Sequence, residues 1–198
     1  FHTDTFVERN AEQRQFGPLQ IYRGIPEAPK LNAASLRAAA LDGGRYLINH
    51  LAPNGRYIYE HDVGTGVQTD PKGPSYSMPR HAGTTYFLAE LYRITKEDWL
   101  REPIERAFAH LAELMGNKKC ASKLPSGVEI DCVMDRTDKI ATLGSTALSV
   151  VALAEYQRAT GDKRYLPTAT KLAEFIVWVQ RDDGSFRHRY DPVKKQAD

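Results

Sequence analysis

Long apolar runs, cysteine and an excess of either charge are all scarce in this chain of 198 residues. No apolar run approaches the roughly 20 residues that a membrane-crossing helix needs, so a helical membrane protein is excluded. The 27 Lys and Arg are nearly balanced by 25 Asp and Glu. That balance argues against the basic stripe on which a nucleic-acid binder depends. The two cysteines, Cys120 and Cys132, form no C-x-x-C pair and have no paired histidines beside them, so no metal site is expected. There is no glycine-rich phosphate loop either, and no cofactor is expected.

What is present is enough for one globular domain: 41% of residues are hydrophobic, and the length allows a sizeable core. Residues 1–32 read as an N-terminal extension and 33–198 as the domain. Cys120 and Cys132 bracket a turn signal at Pro125-Ser126-Gly127. Two readings stay open: a disulfide closing a short loop, contributing about 3 kcal/mol, or two unrelated thiols.

Apolar periodicity predicts five helices. The first, 33–51, is capped by Asn32 and carries Leu36, Ala40, Leu47 and Leu51 on one face. The second, 84–94, is apolar on nearly every face. The third, 103–115, puts Ile104, Ala107, Phe108 and Leu111 inside, with Pro103 in its first turn. The fourth, 145–157, again lacks a polar stripe, and the fifth, 167–180, turns Ala169, Leu172, Ala173 and Ile176 inward. A one-sided helix lies at a surface and an all-apolar one is surrounded. The order is therefore outer, inner, outer, inner, outer.

An internal repeat supports this alternation. Gly83-Thr84-Thr85 opens the second helix and Gly144-Ser145-Thr146 the fourth. Asn54-Gly55-Arg56-Tyr57 and Asp183-Gly184-Ser185-Phe186 each follow an outer helix, and both are hairpin-turn signals. The outer-to-inner connections, 52–83 and 116–144, are long, whereas 95–102 and 158–166 are short. In an antiparallel array the long ones share one face, and long loops in compact domains are usually functional.

This pattern resembles the α/α-toroid superfamilies. One is the six-hairpin glycosidase-like group, with its uronate hydrolases and sugar epimerases; the other is the terpenoid-cyclase and protein-prenyltransferase group. Lys171, Phe175-Ile176, Gln180 and Gly184-Ser185-Phe186 follow the repeat motif of the second group, with Phe186 where Trp is usual. That motif is structural: the Gln caps the outer helix and the aromatic packs on it. The acidic Asp-x-Asp-Asp motif of the cyclases is missing. The resemblance implies an all-α fold, a partial α/α-toroid of about three helical hairpins, with small β-hairpins in the loops on one face. It also implies an incomplete ring, so that either the protein continues past Asp198 or copies self-associate to complete it.

The loop face gathers the candidate site residues. The first hairpin supplies Tyr57, Tyr59, His61 and Asp62, and the first long loop Tyr76, Arg80 and His81. Arg80 suits bidentate pairing with a carboxylate, and His81 suits proton transfer. Asp131 and Asp135 are candidates for paired acid/base work, Lys139 for holding an anion, and His188 and Tyr190 for ligand contact. Tyr57, Tyr59, Tyr76 and Tyr190 offer flat faces with a polar tip, as a sugar ring requires. His110, on an outer helix, is expected at the surface. The resulting expectation is a saccharide-acting enzyme that hydrolyses or epimerises an anionic, uronate-type sugar. The alternatives are a non-catalytic α/α module binding a glycan or peptide, and a terpenoid-cyclase-like enzyme.

Overall fold

The computed structural model describes residues 5–7, 19–21, 30–62, 64–74, 76–115, 120–134 and 139–198. The chain divides into two compact units, Phe1–Ala39 and Ala40–Asp198. In the first, β1 (Thr5–Val7) pairs antiparallel with β2 (Leu19–Ile21), Phe6 opposite Gln20. Helix α1 (Ala33–Asn49) starts on a reciprocal cap, where the Asn32 side chain accepts from Ser35 N–H at 2.9 Å and Ser35 Oγ accepts from Asn32 N–H at 3.0 Å. Two orphan donors of the first turn are satisfied in this way.

The second unit holds the rest of α1 and the helices α2 (Met78–Thr95), α3 (Arg101–Met115), α4 (Leu143–Thr160) and α5 (Leu166–Trp178). α2 begins six residues earlier than its periodicity predicts. Pro79 sits in the first turn, where the missing N–H costs nothing, and Arg80 and His81 are thereby helical residues rather than loop residues. α4 is capped by the Thr142 side chain, which accepts from Ser145 N–H, and stops at a left-handed Gly161. These choices are local and follow from residue type.

Alternation of outer and inner helices is borne out by packing. α2 and α4 pack extensively on each other, and α3 and α5 lie outside them. Leu88, Ala89, Ala152 and Tyr156 of the inner pair share one core with Ile104, Ala107, Phe108 and Leu111 of α3 and Leu172 of α5. Glu155 on α4 is buried there, and Arg93 of α2 and Arg158 both pair with it. A carboxylate at that depth needs such partners. α1 meets the core at Gly44, where a Cβ would come within 2.5 Å of Leu91 Cδ2. Leu36, expected on the buried face, is instead exposed, because the contacts of α1 with this core begin at Ala40.

Small β elements decorate the ends of these helices. A bridge joins Leu51 to Tyr57 and another His61 to Gln68. β3 (Ser122–Lys123) and β4 (Glu129–Ile130) form a hairpin closed by the Cys120–Cys132 disulfide, which decides between the two readings of those cysteines. β5 (Ala141–Thr142), β6 (Arg189–Asp191) and β7 (Gln196–Ala197) make one antiparallel sheet. Since β5 leads into α4 and β6 follows α5, their pairing brings the start of an inner helix and the end of an outer one to the same face. Among the described residues no helix is long and apolar enough to cross a membrane.

Candidate functional site

Two candidates, Arg80 and Tyr59, meet at the surface where the first hairpin meets the first turn of α2. The Arg80 guanidinium lies 5.2 Å from the centre of the Tyr59 ring and 4.0 Å from the Glu60 carboxylate. Both ends of that ion pair are exposed, so it contributes little to stability and leaves the guanidinium available to a ligand. Tyr59 is half-buried and meets Tyr76 edge to face at 5.8 Å. His61 and Asp62 follow on the exposed side. Asp62 is committed to its turn: its Oδ1 accepts from Gly64 and Thr65 N–H, bonds that hold its carboxyl below the usual range.

Beneath this surface lies a packed polar cluster. Tyr76 Oη accepts from Tyr57 N–H at 2.8 Å and stands 2.7 Å from His81 Nδ1, while His81 Nε2 meets the Ala107 carbonyl at 3.0 Å. A carbonyl only accepts, so Nε2 carries the proton and Nδ1 receives the Tyr76 hydroxyl proton. Burial, reinforced by His110, pushes His81 down to about 3. Burial likewise pushes Tyr76 up to about 12 and raises Tyr57 further. The Arg56 guanidinium covers the Tyr76 ring at 4.1 Å and donates to the Gly73 carbonyl.

This corrects several expectations. His81 is 1% exposed with both ring nitrogens engaged, because the early start of α2 turns it inward, and proton exchange with a ligand cannot run through it in this arrangement. Tyr57 and Tyr76 are core residues that seal the first hairpin onto α2, and Tyr190 is buried against Phe175 and Trp178; none of the three presents a face to a sugar. His110 is buried, not superficial. Its ring meets those of His81 and Tyr76 edge to face because the first hairpin covers this side of α3.

The second long loop is brought to a different place. Asp131 N–H donates to the Lys171 carbonyl in the middle of α5, and its carboxylate accepts from Cys132 N–H. Burial pushes that carboxyl up to about 6, against the pull of the Cys132 N–H and the Lys171 charge. Lys171 itself pairs with Glu129 at 2.7 Å. Asp131 therefore belongs to the wall that β4 makes with an outer helix. Asp135 lies outside the described residues. Lys139 is exposed in the left-handed region, φ 58°, and His188 is exposed on the approach to β6. A cavity of about 240 Å³ opens beside Ile140, Arg189 and Asp191.

The structure adds two residues that the reading of the sequence passed over. Tyr46 and His50, at the end of α1, lie with ring centres 4.3 Å apart, and His50 faces His61 at 6.4 Å. Their i, i+4 spacing on a helix was the available signal.

No protein-family model and no curated protein sequence matches the chain. In three dimensions it is similar to a sugar epimerase from a ruminal bacterium, with a TM-score of 0.63 and 17% identity, covering 81% of this chain and 41% of that one. A D-mannose isomerase gives 0.61 and 20%, over 84% and 41%. The cellobiose 2-epimerase of Bacillus thermoamylovorans gives 0.65 and 16%, over 82% and 42%. The fold is a partial α/α-toroid. The chain spans about two fifths of the length of those structures. Within the toroid the Gln180 side chain donates to the Gly184 carbonyl at 3.2 Å and Gln180 bridges Phe186, so the repeat motif closes the end of an outer helix.

Proposed function

We propose that this toroid segment belongs to a carbohydrate-processing enzyme and that Arg80 holds the carboxylate of an anionic, uronate-type sugar. The observation that carries the reading is the exposed Arg80 guanidinium seated on the face of Tyr59 at the start of an inner helix. A planar fork of donors matches a carboxylate, the ring beneath supplies an apolar surface for the sugar, and the helix start favours the negative charge.

Epimerisation fits this surface better than hydrolysis. Removing a proton beside a carboxylate builds negative charge on that carboxylate, and Arg80 is placed to stabilise it. Proton transfer then falls to the exposed neighbours Glu60 and His61 rather than to buried His81. Hydrolysis by paired carboxylates needs two of them about 5 to 10 Å apart across the sugar, and Asp131 is held on α5 instead. The similarity to sugar epimerases and an isomerase supports the same choice.

The test is incubation with hexuronic acids in deuterated water, followed by NMR at the carbon next to the carboxylate. Deuterium uptake is expected in the wild type and not in Arg80→Ala. Uptake unaffected by Arg80→Ala overturns the assignment, and binding without uptake makes the segment a glycan-binding module.

A second proposal concerns the open flank. Leu148 and Val151 on α4 are 37% and 46% exposed, and Leu166 and Val177 of α5 are exposed as well. We infer that another helical hairpin of the same repeat covers them, since contiguous apolar faces are otherwise costly. Light scattering tests supply in trans: a self-associated species that Leu148→Glu dissociates is the expected result for it, and a stable monomer excludes it.

A further inference from the structure

We propose that Tyr46, His50 and His61 form a second sugar-ring platform beside Arg80 and Tyr59, so that the ligand is an acidic oligosaccharide of at least two residues. This rests on the saccharide reading of the Arg80 surface and extends it to the length of the ligand.

The first hairpin provides the spacing. Side chains two apart on an extended segment share a face and stand about 6.6 Å from each other. Tyr57, Tyr59 and His61 form such a row, and it climbs from the core to solvent: Tyr57 is buried against Thr85, Tyr59 is half-buried under Arg80, and His61 is exposed. The step from Tyr59 to His61 is comparable to the advance of one sugar along a chain.

At His61 the row meets α1. His50 faces His61 at 6.4 Å and stacks on Tyr46 at 4.3 Å with a tilt of 37°. His50 is oriented by its Nδ1, which lies 2.8 Å from the Tyr46 carbonyl. Because a carbonyl only accepts, Nδ1 carries the proton and Nε2 is left to receive a sugar hydroxyl. Tyr46 is 57% exposed. An exposed tyrosine stacked on a fixed imidazole has a flat apolar face and polar tips, which is the chemistry of a carbohydrate platform. The two imidazoles by themselves do not suggest a metal: among the described residues no group of three or more His, Cys, Asp and Glu converges.

The test is calorimetric titration of the chain with galacturonic acid, its dimer and its tetramer, and with a neutral glucose tetramer. The acidic tetramer is expected to bind at least about tenfold more tightly than the monomer, a gain of about 1.4 kcal/mol. Tyr46→Ala and His50→Ala should each remove most of that gain and leave monomer affinity within twofold. Tyr46→Phe, which keeps the ring, should retain it. Arg80→Ala should weaken every acidic ligand alike. Equal affinity for acidic monomer and tetramer, or a tetramer gain untouched by both alanine variants, overturns the platform while the saccharide reading stands. Equal binding of the neutral tetramer overturns the acidic ligand class. If none of the four saccharides binds, the saccharide reading falls and the platform with it.

Discussion

The hairpins at 51–57 and 180–186 follow outer helices, use the same kind of turn, and differ in what lies over them. Gly55, at φ 78°, is packed beneath α3: a Cβ there would come within 2.5 Å of the Arg106 carbonyl and 2.9 Å of His110 Cβ. Gly184, at φ 85°, meets nothing within 4 Å. The local sequence makes the same turn twice, and only the covered copy is joined to a buried polar network and to the Arg80 surface. The uncovered copy is stapled locally instead, through Gln180, Arg181 and Ser185. A turn becomes part of a site when a neighbouring helix fixes its position.

Alanine at the two glycines is the strongest way to break this comparison. Gly55→Ala carries the left-handed penalty and an overpacked contact with backbone, and should cost about 4 kcal/mol. Gly184→Ala carries only the first and should cost about 1 kcal/mol. Urea unfolding of both variants measures the gap, and equal losses would remove the distinction. Next in size is the disulfide. The Cys120→Ser, Cys132→Ser double variant should lose about 3 kcal/mol while leaving saccharide binding at Arg80 unchanged, because its loop packs on α5.

Tyr76→Phe sharpens the covered side. It strands the Tyr57 N–H and the His81 Nδ1, and should cost about 2 kcal/mol together with a loss of ligand affinity, read by unfolding and by titration. Asp131 gives a pH signature for the other side. Its carboxyl is raised in the fold from 3.8 to about 6, so the folded state binds the proton more readily and stability falls as pH rises across that window. Asp131→Asn keeps the acceptor for Cys132 N–H and removes the buried charge. It should gain about 1.5 kcal/mol at pH 7, after allowing for solvent screening, and nothing below pH 3.8; a gain that persists in acid would contradict the assignment. Smallest is Arg80→Ala, expected to change stability by less than about 0.5 kcal/mol, since its partner and itself are exposed.

Much of the fold was legible because it rests on local signals. Apolar period, Pro103 in the first turn of α3, and the paired Asn-Gly and Asp-Gly turns each act within a few residues. Ile104, Ala107, Phe108 and Leu111 are buried as their spacing implies. The site was legible only in part. Arg80 and Tyr59 do meet, since a hairpin and a following helix start are brought together by short-range topology. His81 and His110 could not be placed from the chain alone: each has a polar side chain on a helix, and whether that face is wet depends on which hairpin lies over it. Asp131 was misplaced for the same reason, its loop being drawn to α5 by contacts remote in sequence.

The amino-acid sequence by itself determined the outer and inner character of the helices, the repeat, and the position of the long loops, because hydrophobic periodicity and turn chemistry are properties of neighbouring residues. Only the tertiary structure decided that His81 is sealed and Arg80 is open, that His50 faces His61, and that one of two alike turns is covered. Those outcomes depend on which surfaces exclude water from one another, and that is set by contacts between residues far apart in the chain.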